Sequence, residues 1–284
     1  MKFSICNEIF RDWDLKRIFQ TARRIGYDAV EIAPFTLADS VVEISERERA
    51  RIKSLAAAEG VELSAIHWVL VKPDGLYINH PDEAVRQKTS DYFVELVDFC
   101  ADIGARSVVV GSPKQRCVKE EVTFENARAW ALETFSAAVK RSEERKVSLC
   151  MEPLGAAETN FINTAQEAIA FTQELASPAF KIILDVKAMS SEGRPLPEII
   201  YESRGHFTHF HANDPNLKGP GFGDTDFVPI LRALKEVGYD GYVSVEVFKF
   251  DEGPELIASR SLETLQAAWR QVQSETERDG EANE

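Results

Sequence analysis

A three-part pattern recurs along this chain: an amphipathic stretch, a glycine, then a short β-branched run. ARRIGYDAVEIA (22–33) is the first instance, and AAAEGVELSAIHWV (56–69), CADIGARSVVVGS (100–112) and LKEVGYDGYVSVEVF (234–248) repeat it. Glycine after a helix supplies a left-handed cap, and valine and isoleucine suit strands. The repeated unit is therefore helix-to-strand. Eight strand candidates follow from it: FSICN (3–7), AVEIA (29–33), ELSAIHWV (62–69), SVVVGS (107–112), VSLCMEPL (147–154), KIILDVK (181–187), FTHFHAND (207–214) and YVSVEVF (242–248). Helical stretches such as 14–25 and 123–145 separate them, which implies a parallel α/β sheet. Eight units favour closure into a single (β/α)8 TIM barrel, a fold of about 250 residues, and the chain has 284. An open doubly wound sheet is the alternative, weakened by the lack of GxGxxG after the first strand. The barrel is assigned to 1–272, and the polar run 273–284 reads as a frayed C-terminal tail.

Alternation within the strands separates two faces. Val147, Leu149 and Met151 oppose Ser148, Cys150 and Glu152. Val243, Val245 and Val247 oppose Tyr242, Ser244 and Glu246. Ile182, Leu184 and Val186 oppose Ile183, Asp185 and Lys187, and Phe210 and Ala212 oppose His209, His211 and Asn213. The aliphatic face suits the outer helices, so the mixed face points into the barrel. Its polar members then gather at the C-terminal rim, where barrel enzymes hold their chemistry.

Glu152, Asp185, His211 and Glu246 thus end four successive strands pointing inward. Three carboxylates and an imidazole form a mixed oxygen and nitrogen set suited to one divalent metal, Mn²⁺ or Mg²⁺ first, with Co²⁺ and Zn²⁺ as further candidates. Without a cation the three carboxylates would repel one another. Each could instead be an ordinary strand-end acid with a basic neighbour, but four on consecutive strands favour the metal. His209 reads as a hydrogen-bonded core histidine, His206 as structural and His80 as solvated. His67 and Trp68 end the third strand; they face either the substrate or the core. Lys187 is either a rim ion-pair partner or a cation that holds substrate charge. The glycine-rich run PGFGDTDF (220–227) offers backbone N–H groups to an oxyanion or a polyol.

Charge limits the partners. The formal net charge is −14 and the sequence pI about 5.0, which disfavours nucleic acid. No apolar run approaches the roughly 20 residues of a membrane span. MKFSICNEIF carries no signal-peptide pattern, and Cys6, Cys100, Cys117 and Cys150 form no CxxC pair. Reduced thiols and a cytoplasmic location are expected.

At these residues the chain resembles the xylose isomerase-like TIM-barrel superfamily of sugar and sugar-phosphate isomerases and epimerases. The D-tagatose 3-epimerase and D-psicose 3-epimerase group is the nearest pattern, strongest in MEPLGAAETNFIN (151–163), LDVKAMSSEG (184–193), HFHANDPN (209–216) and GYDGYVSVEVF (238–248). The resemblance matches Glu152, Asp185, His211 and Glu246 to the family's metal ligands, and Glu158 to a substrate-side acid. Two positions depart: Ala188 stands where the epimerases carry a substrate histidine, and Leu217 where they carry an arginine. Lys187 and Lys218 are the candidates for replacement charge.

The resemblance implies a metal-dependent sugar or sugar-phosphate isomerase or epimerase, working by proton transfer through a metal-bound enediolate. Glu152 and Glu246 are the expected acid/base pair. Its partner is a small-molecule sugar or sugar phosphate, and homo-oligomers are common in that family. A metal-dependent dehydratase or lyase on a keto-polyol, and a catalytically inactive sugar-binding barrel, are the alternatives. A DNA-repair endonuclease of the same superfamily would need a histidine-rich multi-zinc site and a basic face, against five histidines here.

Overall fold

The computed structural model describes residues 1–281. Eight strands form in chain order: β1 (Lys2–Cys6), β2 (Ala29–Ile32), β3 (Glu62–Ile66), β4 (Ser107–Val110), β5 (Ser148–Met151), β6 (Phe180–Asp185), β7 (Phe207–Ala212) and β8 (Tyr242–Val245). Each pairs parallel with the next, and β8 closes on β1. The outer layer contains α1 (Leu15–Ile25), α2 (Glu46–Ala58), α3 (Glu83–Ile103), α4 (Phe124–Arg145), α5 (Ala165–Gln173), α6 (Val186–Ser190), α7 (Leu196–Glu202), α8 (Phe227–Glu236) and α9 (Pro254–Glu281). This is the expected (β/α)8 barrel. No helix among the described residues is long and apolar enough to cross a membrane.

Local signals set the helix limits. The Asp14 carboxylate accepts from the Arg17 N–H at the start of α1, and Thr164 and Glu167 form a reciprocal capping box on α5. Gly26 and Gly104 close α1 and α3 with φ of 115° and 87°, a region that side-chain-bearing residues rarely adopt. The tail expected from 273 begins inside α9, which continues to Glu281 without a break; residues 282–284 lie outside the described part.

The two faces read from alternation become two separate cores. Val147, Leu149, Met151, Ile182, Leu184, Val243 and Val245 join the large outer core between sheet and helices. Ala65, Val109, Cys150 and Ile183 form a small apolar plug of their own. Several strands end earlier than expected. The third stops at Ile66, and the sixth at Asp185, where the chain turns into α6. Lys187 therefore sits on a helix and does not extend the Asp185 face of the strand.

The Phe135 ring centres the aromatic part of the outer core, with centroid distances of 4.9 Å to Phe93, 5.5 Å to Phe180 and 6.1 Å to Phe171. Phe135→Ala should lower unfolding free energy by about 3–5 kcal/mol, measured by urea denaturation. A loss below about 1 kcal/mol would mean that the core closes over the gap, contrary to its packing.

Candidate metal centre and active site

Each member of the quartet is placed by the end of its strand. Asp185 is the last residue of β6, and His211 lies in β7. Glu152 and Glu246 come one residue after β5 and β8, with their N–H groups still donating to Val110 O (3.2 Å) and Ala212 O (3.3 Å). Ligand atoms from all four lie within 4.8 Å of one another, and all four residues are buried. The His211 Nδ1 is 3.1 Å from Glu246 Oε2, 3.7 Å from Glu152 Oε1 and 4.0 Å from Asp185 Oδ2. It has no aligned hydrogen bond to any of them.

A second layer holds this geometry. Glu31, on β2 and fully buried, accepts from Nε2 of His211 (3.1 Å) and Nε2 of His209 (2.7 Å). Its pairing at Nε2 turns Nδ1 of His211 toward the carboxylates, the usual arrangement behind a metal-binding imidazole. Asp185 accepts from Ala188 N–H (2.7 Å) and from the Asn213 side chain (2.5 Å). Behind Glu152, the fully buried Arg116 donates to the carbonyls of Glu152 (2.6 Å), Val110 and Ile162 (both 3.3 Å). Gly111 leaves room for the Glu152 carboxylate: a Cβ there would lie 1.7 Å from Oε2.

The electrostatics describe a site short of positive charge. Burial and the Glu152 and Glu246 carboxylates push Asp185 up to about 7. Burial opposes ionisation of Glu246, but the His211 imidazole outweighs it and holds the carboxyl low. Burial likewise opposes charge on Glu31, and His209, His211 and His67 together hold it well below the usual range. For His67, burial disfavours the cation, yet Glu8 and Glu31 raise it to about 9.

The other expected residues divide. His67 is buried, with Nε2 3.0 Å from Glu8 Oε2 and Nδ1 3.4 Å from Glu31 Oε1. With Trp68, Lys187, Glu152 and Glu246 it lines a small pocket over the quartet. Lys187 Nζ pairs with Glu158 Oε1 at 2.8 Å and lies 4.1 Å from the centre of the Phe248 ring. Lys218 does not reach this pocket; Glu252 engages it. Ala188 is buried in the first turn of α6, and Leu217 has a left-handed backbone whose carbonyl accepts from Phe248 and Lys249. His209 is the hydrogen-bonded core residue expected. His80, expected to be solvated, is half-buried: Nδ1 accepts from Asp82 N–H at 3.0 Å and Nε2 lies 2.7 Å from Lys119 Nζ. The run 220–227 binds an anion of its own, since Asp214 accepts from Thr225 N–H (3.1 Å) and fills the space a Gly223 Cβ would need. Glu31, Glu8, Gly111 and Arg116 were missed in the sequence. For Glu31 the signal was a lone acid inside the apolar run AVEIA.

A family model described as xylose isomerase-like TIM barrel matches residues 19–268. A D-psicose 3-epimerase of Ruminiclostridium cellulolyticum is 25% identical over 243 residues, covering 84% of this chain and 80% of the relative. A ketose 3-epimerase of Arthrobacter globiformis is 27% identical over 265 residues, covering 91% and 84%. A crystal structure of D-psicose 3-epimerase in the presence of D-fructose shares the fold, with a TM-score of 0.79, 21% identity and coverage of 95% and 97%.

Two outcomes test this geometry. Gly111→Ala must displace the Glu152 carboxylate, so its affinity for Mn²⁺ should fall roughly ten- to a hundredfold by calorimetry; unchanged affinity would take Glu152 out of the ligand set. The second concerns pH without added metal. Raised folded-state values favour protonated forms, so the stabilisation is complete at low pH and lost as pH rises. Asp185 loses its share between about 4 and 7, and His67 between about 6.5 and 9. Melting temperature should decline across pH 4–9, and saturating Mn²⁺ should flatten the lower part of that decline. A flat metal-free profile would contradict the charge balance described.

Proposed function

The chain belongs to the xylose isomerase-like TIM-barrel family, and we propose that it is a divalent-metal-dependent ketose epimerase, inverting the carbon beside a sugar's carbonyl. The observation that carries this reading is the buried quartet at the barrel mouth. Its donors fit a divalent cation: three carboxylates supply hard oxygens, and His211 Nδ1 is a buried nitrogen without a hydrogen bond. Glu152, Asp185, His211 and Glu246 would hold the ion. Bound there, it would polarise the ketose carbonyl and acidify the C–H on the neighbouring hydroxyl-bearing carbon. Relatives named as ketose 3-epimerases direct the reading to that substrate class.

The chain's own residues supply the proton transfers. Glu246, held ionised beside His211, is ready to take the proton from one face of that carbon. Glu152, in its protonated form, approaches from β5, three strands around the ring, and gives its own proton to the opposite face, which inverts the centre; exchange with water then returns both glutamates to their starting states. The reaction is reversible, so the roles exchange with direction. Lys187, held by Glu158 on the pocket wall, can offset negative charge on a substrate oxygen. With Ala188 and Leu217 where the family carries histidine and arginine, hydroxyl recognition here must use other side chains. A reducing cytoplasm suits the four unpaired cysteines.

Purified protein should contain near-stoichiometric divalent metal that His211→Ala and Glu246→Ala both lose. In D2O, NMR should show solvent deuterium entering fructose at the inverted carbon. Glu152→Gln and Glu246→Gln should each slow this by roughly a hundred- to ten-thousandfold. Near wild-type turnover in both variants with metal bound would remove the two glutamates from the chemistry. A new unsaturated product would replace epimerisation with elimination.

A further inference from the structure

Beside the small pocket over the quartet lies a much larger cleft of about 1070 Å³, built over the rim of β1, β2 and β8. Trp68 and Phe248 line both, so the two spaces adjoin across these two side chains. Drug-sized ligands occupy pockets of roughly 300–1,000 Å³, and one monosaccharide needs far less. The cleft is also built as a binding wall. Trp13, Phe35, Trp68, Phe248 and Phe250 face it, and Phe35 is left 37% exposed. Trp68 takes a left-handed backbone with φ of 54°, which is rare for a bulky residue. Aromatic faces of this kind pack against the C–H faces of sugar rings.

The join between pocket and cleft is polar. Glu8 lines the cleft, and its Oε2 lies 3.0 Å from Nε2 of His67, which lines the small pocket. The two form a buried ion pair, Glu8 9% exposed and His67 1%.

Charge says what kind of ligand. Glu8, Asp12, Asp14, Glu43 and Glu48 outnumber Arg11 and Arg51 along the walls. Arg51 is held by Glu48 through two hydrogen bonds of 2.7 and 2.8 Å, and the Arg11 guanidinium lies over Phe250 at 4.1 Å. At the pocket Lys187 is paired with Glu158. Such walls disfavour a phosphate and suit a neutral hydroxylated ring.

We propose that the substrate is an uncharged glycosylated ketose, with its ketose unit over the quartet and a second sugar ring in the cleft between Trp68, Phe248 and Phe35. The identity of the ketose unit rests on the epimerase reading; the second ring rests on the cleft alone.

The test uses the metal-loaded protein with lactulose (4-O-galactosyl fructose), its 6-O-glucosyl counterpart palatinose, free fructose and fructose 6-phosphate. Turnover is followed by deuterium exchange and binding by tryptophan fluorescence, since Trp13 and Trp68 stand in the walls. At least one glycosyl fructose should exceed fructose in kcat/KM by about tenfold or more. Phe35→Ala should cut that ratio, and weaken disaccharide binding, roughly three- to tenfold. Phe124→Ala, an equally exposed phenylalanine outside the cleft, should leave the ratio unchanged. Turnover best with fructose or its phosphate, and indifferent to Phe35→Ala, overturns the second-ring subsite and keeps the epimerase. Disaccharide binding that needs Phe35, with no exchange on any sugar, keeps the subsite and sinks the epimerase reading. Neither binding nor exchange overturns both.

Discussion

Everything at the barrel mouth depends on how buried negative charge is balanced. Glu8, Glu31, Glu152, Asp185 and Glu246 are all buried within one region of the rim, and carboxylates in so small a space cannot all stay ionised without cations. Glu31 is the fixed point. It is fully buried and is answered by three imidazoles, His67, His209 and His211. Removing one partner of such a buried pair leaves a charge stranded and costs about 3–5 kcal/mol. The same contact orients His211, so the support of the barrel core and the geometry of the candidate metal site are one interaction. Burial first, and then the Glu152 and Glu246 carboxylates, push Asp185 up to about 7, so a nearby cation would favour its ionised form.

The rest of the fold serves that arrangement from below and from the side. Ala65, Val109, Cys150 and Ile183 form an apolar plug. The buried Ser4 and Ser64 hydroxyls bond each other at 2.7 Å, and the Cys150 thiol pairs with Thr208 at 3.2 Å, so these polar atoms are engaged away from the Glu31 hub. From the side, β4 supports the neighbouring strand through absence: Gly111 has no side chain, and the Glu152 carboxylate uses the space. Arg116 binds carbonyls on β4, after β5 and in the loop at Ile162. Burial lowers its pKa to about 10, with Glu152 and Glu158 acting against that fall. A guanidinium spent on backbone carbonyls is a pin with long-range charge, holding the Glu152 backbone while its field favours the carboxylate.

Much of this was legible in the sequence, because period-two alternation and glycine-capped helices are local signals. Val147, Leu149 and Met151 against Ser148, Cys150 and Glu152 divide the two cores as the strand pattern requires, and the quartet follows from the same phase. Residues whose meaning depends on a distant partner were not legible. Glu31 is a lone acid in an apolar strand, and the two imidazoles it hydrogen-bonds, His209 and His211, lie 178 and 180 positions away. Gly111 carries no chemistry of its own. Arg116 and Glu8 fall in short irregular segments after strands, where no period constrains direction. Lys187 was read on the wrong element because Asp185 both ends a strand and caps a helix, and a run such as KIILDVK carries no mark of that turn.

Net charge shows the same division between amount and placement. The value of −14 argues against nucleic acid wherever the acids lie, since that repulsion is long-ranged. It is silent on phosphate, for a single well-placed basic cluster can bind one on an acidic protein. Local pairing decides that question. Asp214 occupies the glycine-rich turn that could have held an oxyanion, Glu252 takes Lys218, Glu158 takes Lys187 and Glu48 takes Arg51. Cations that already have carboxylates gain little from a phosphate, which must first displace the resident partner. Glu8 Oε2 and His67 Nε2 likewise face each other at 3.0 Å. These local pairings, with the aromatic walls of the cleft, are the physical ground for proposing a neutral, hydroxylated ligand.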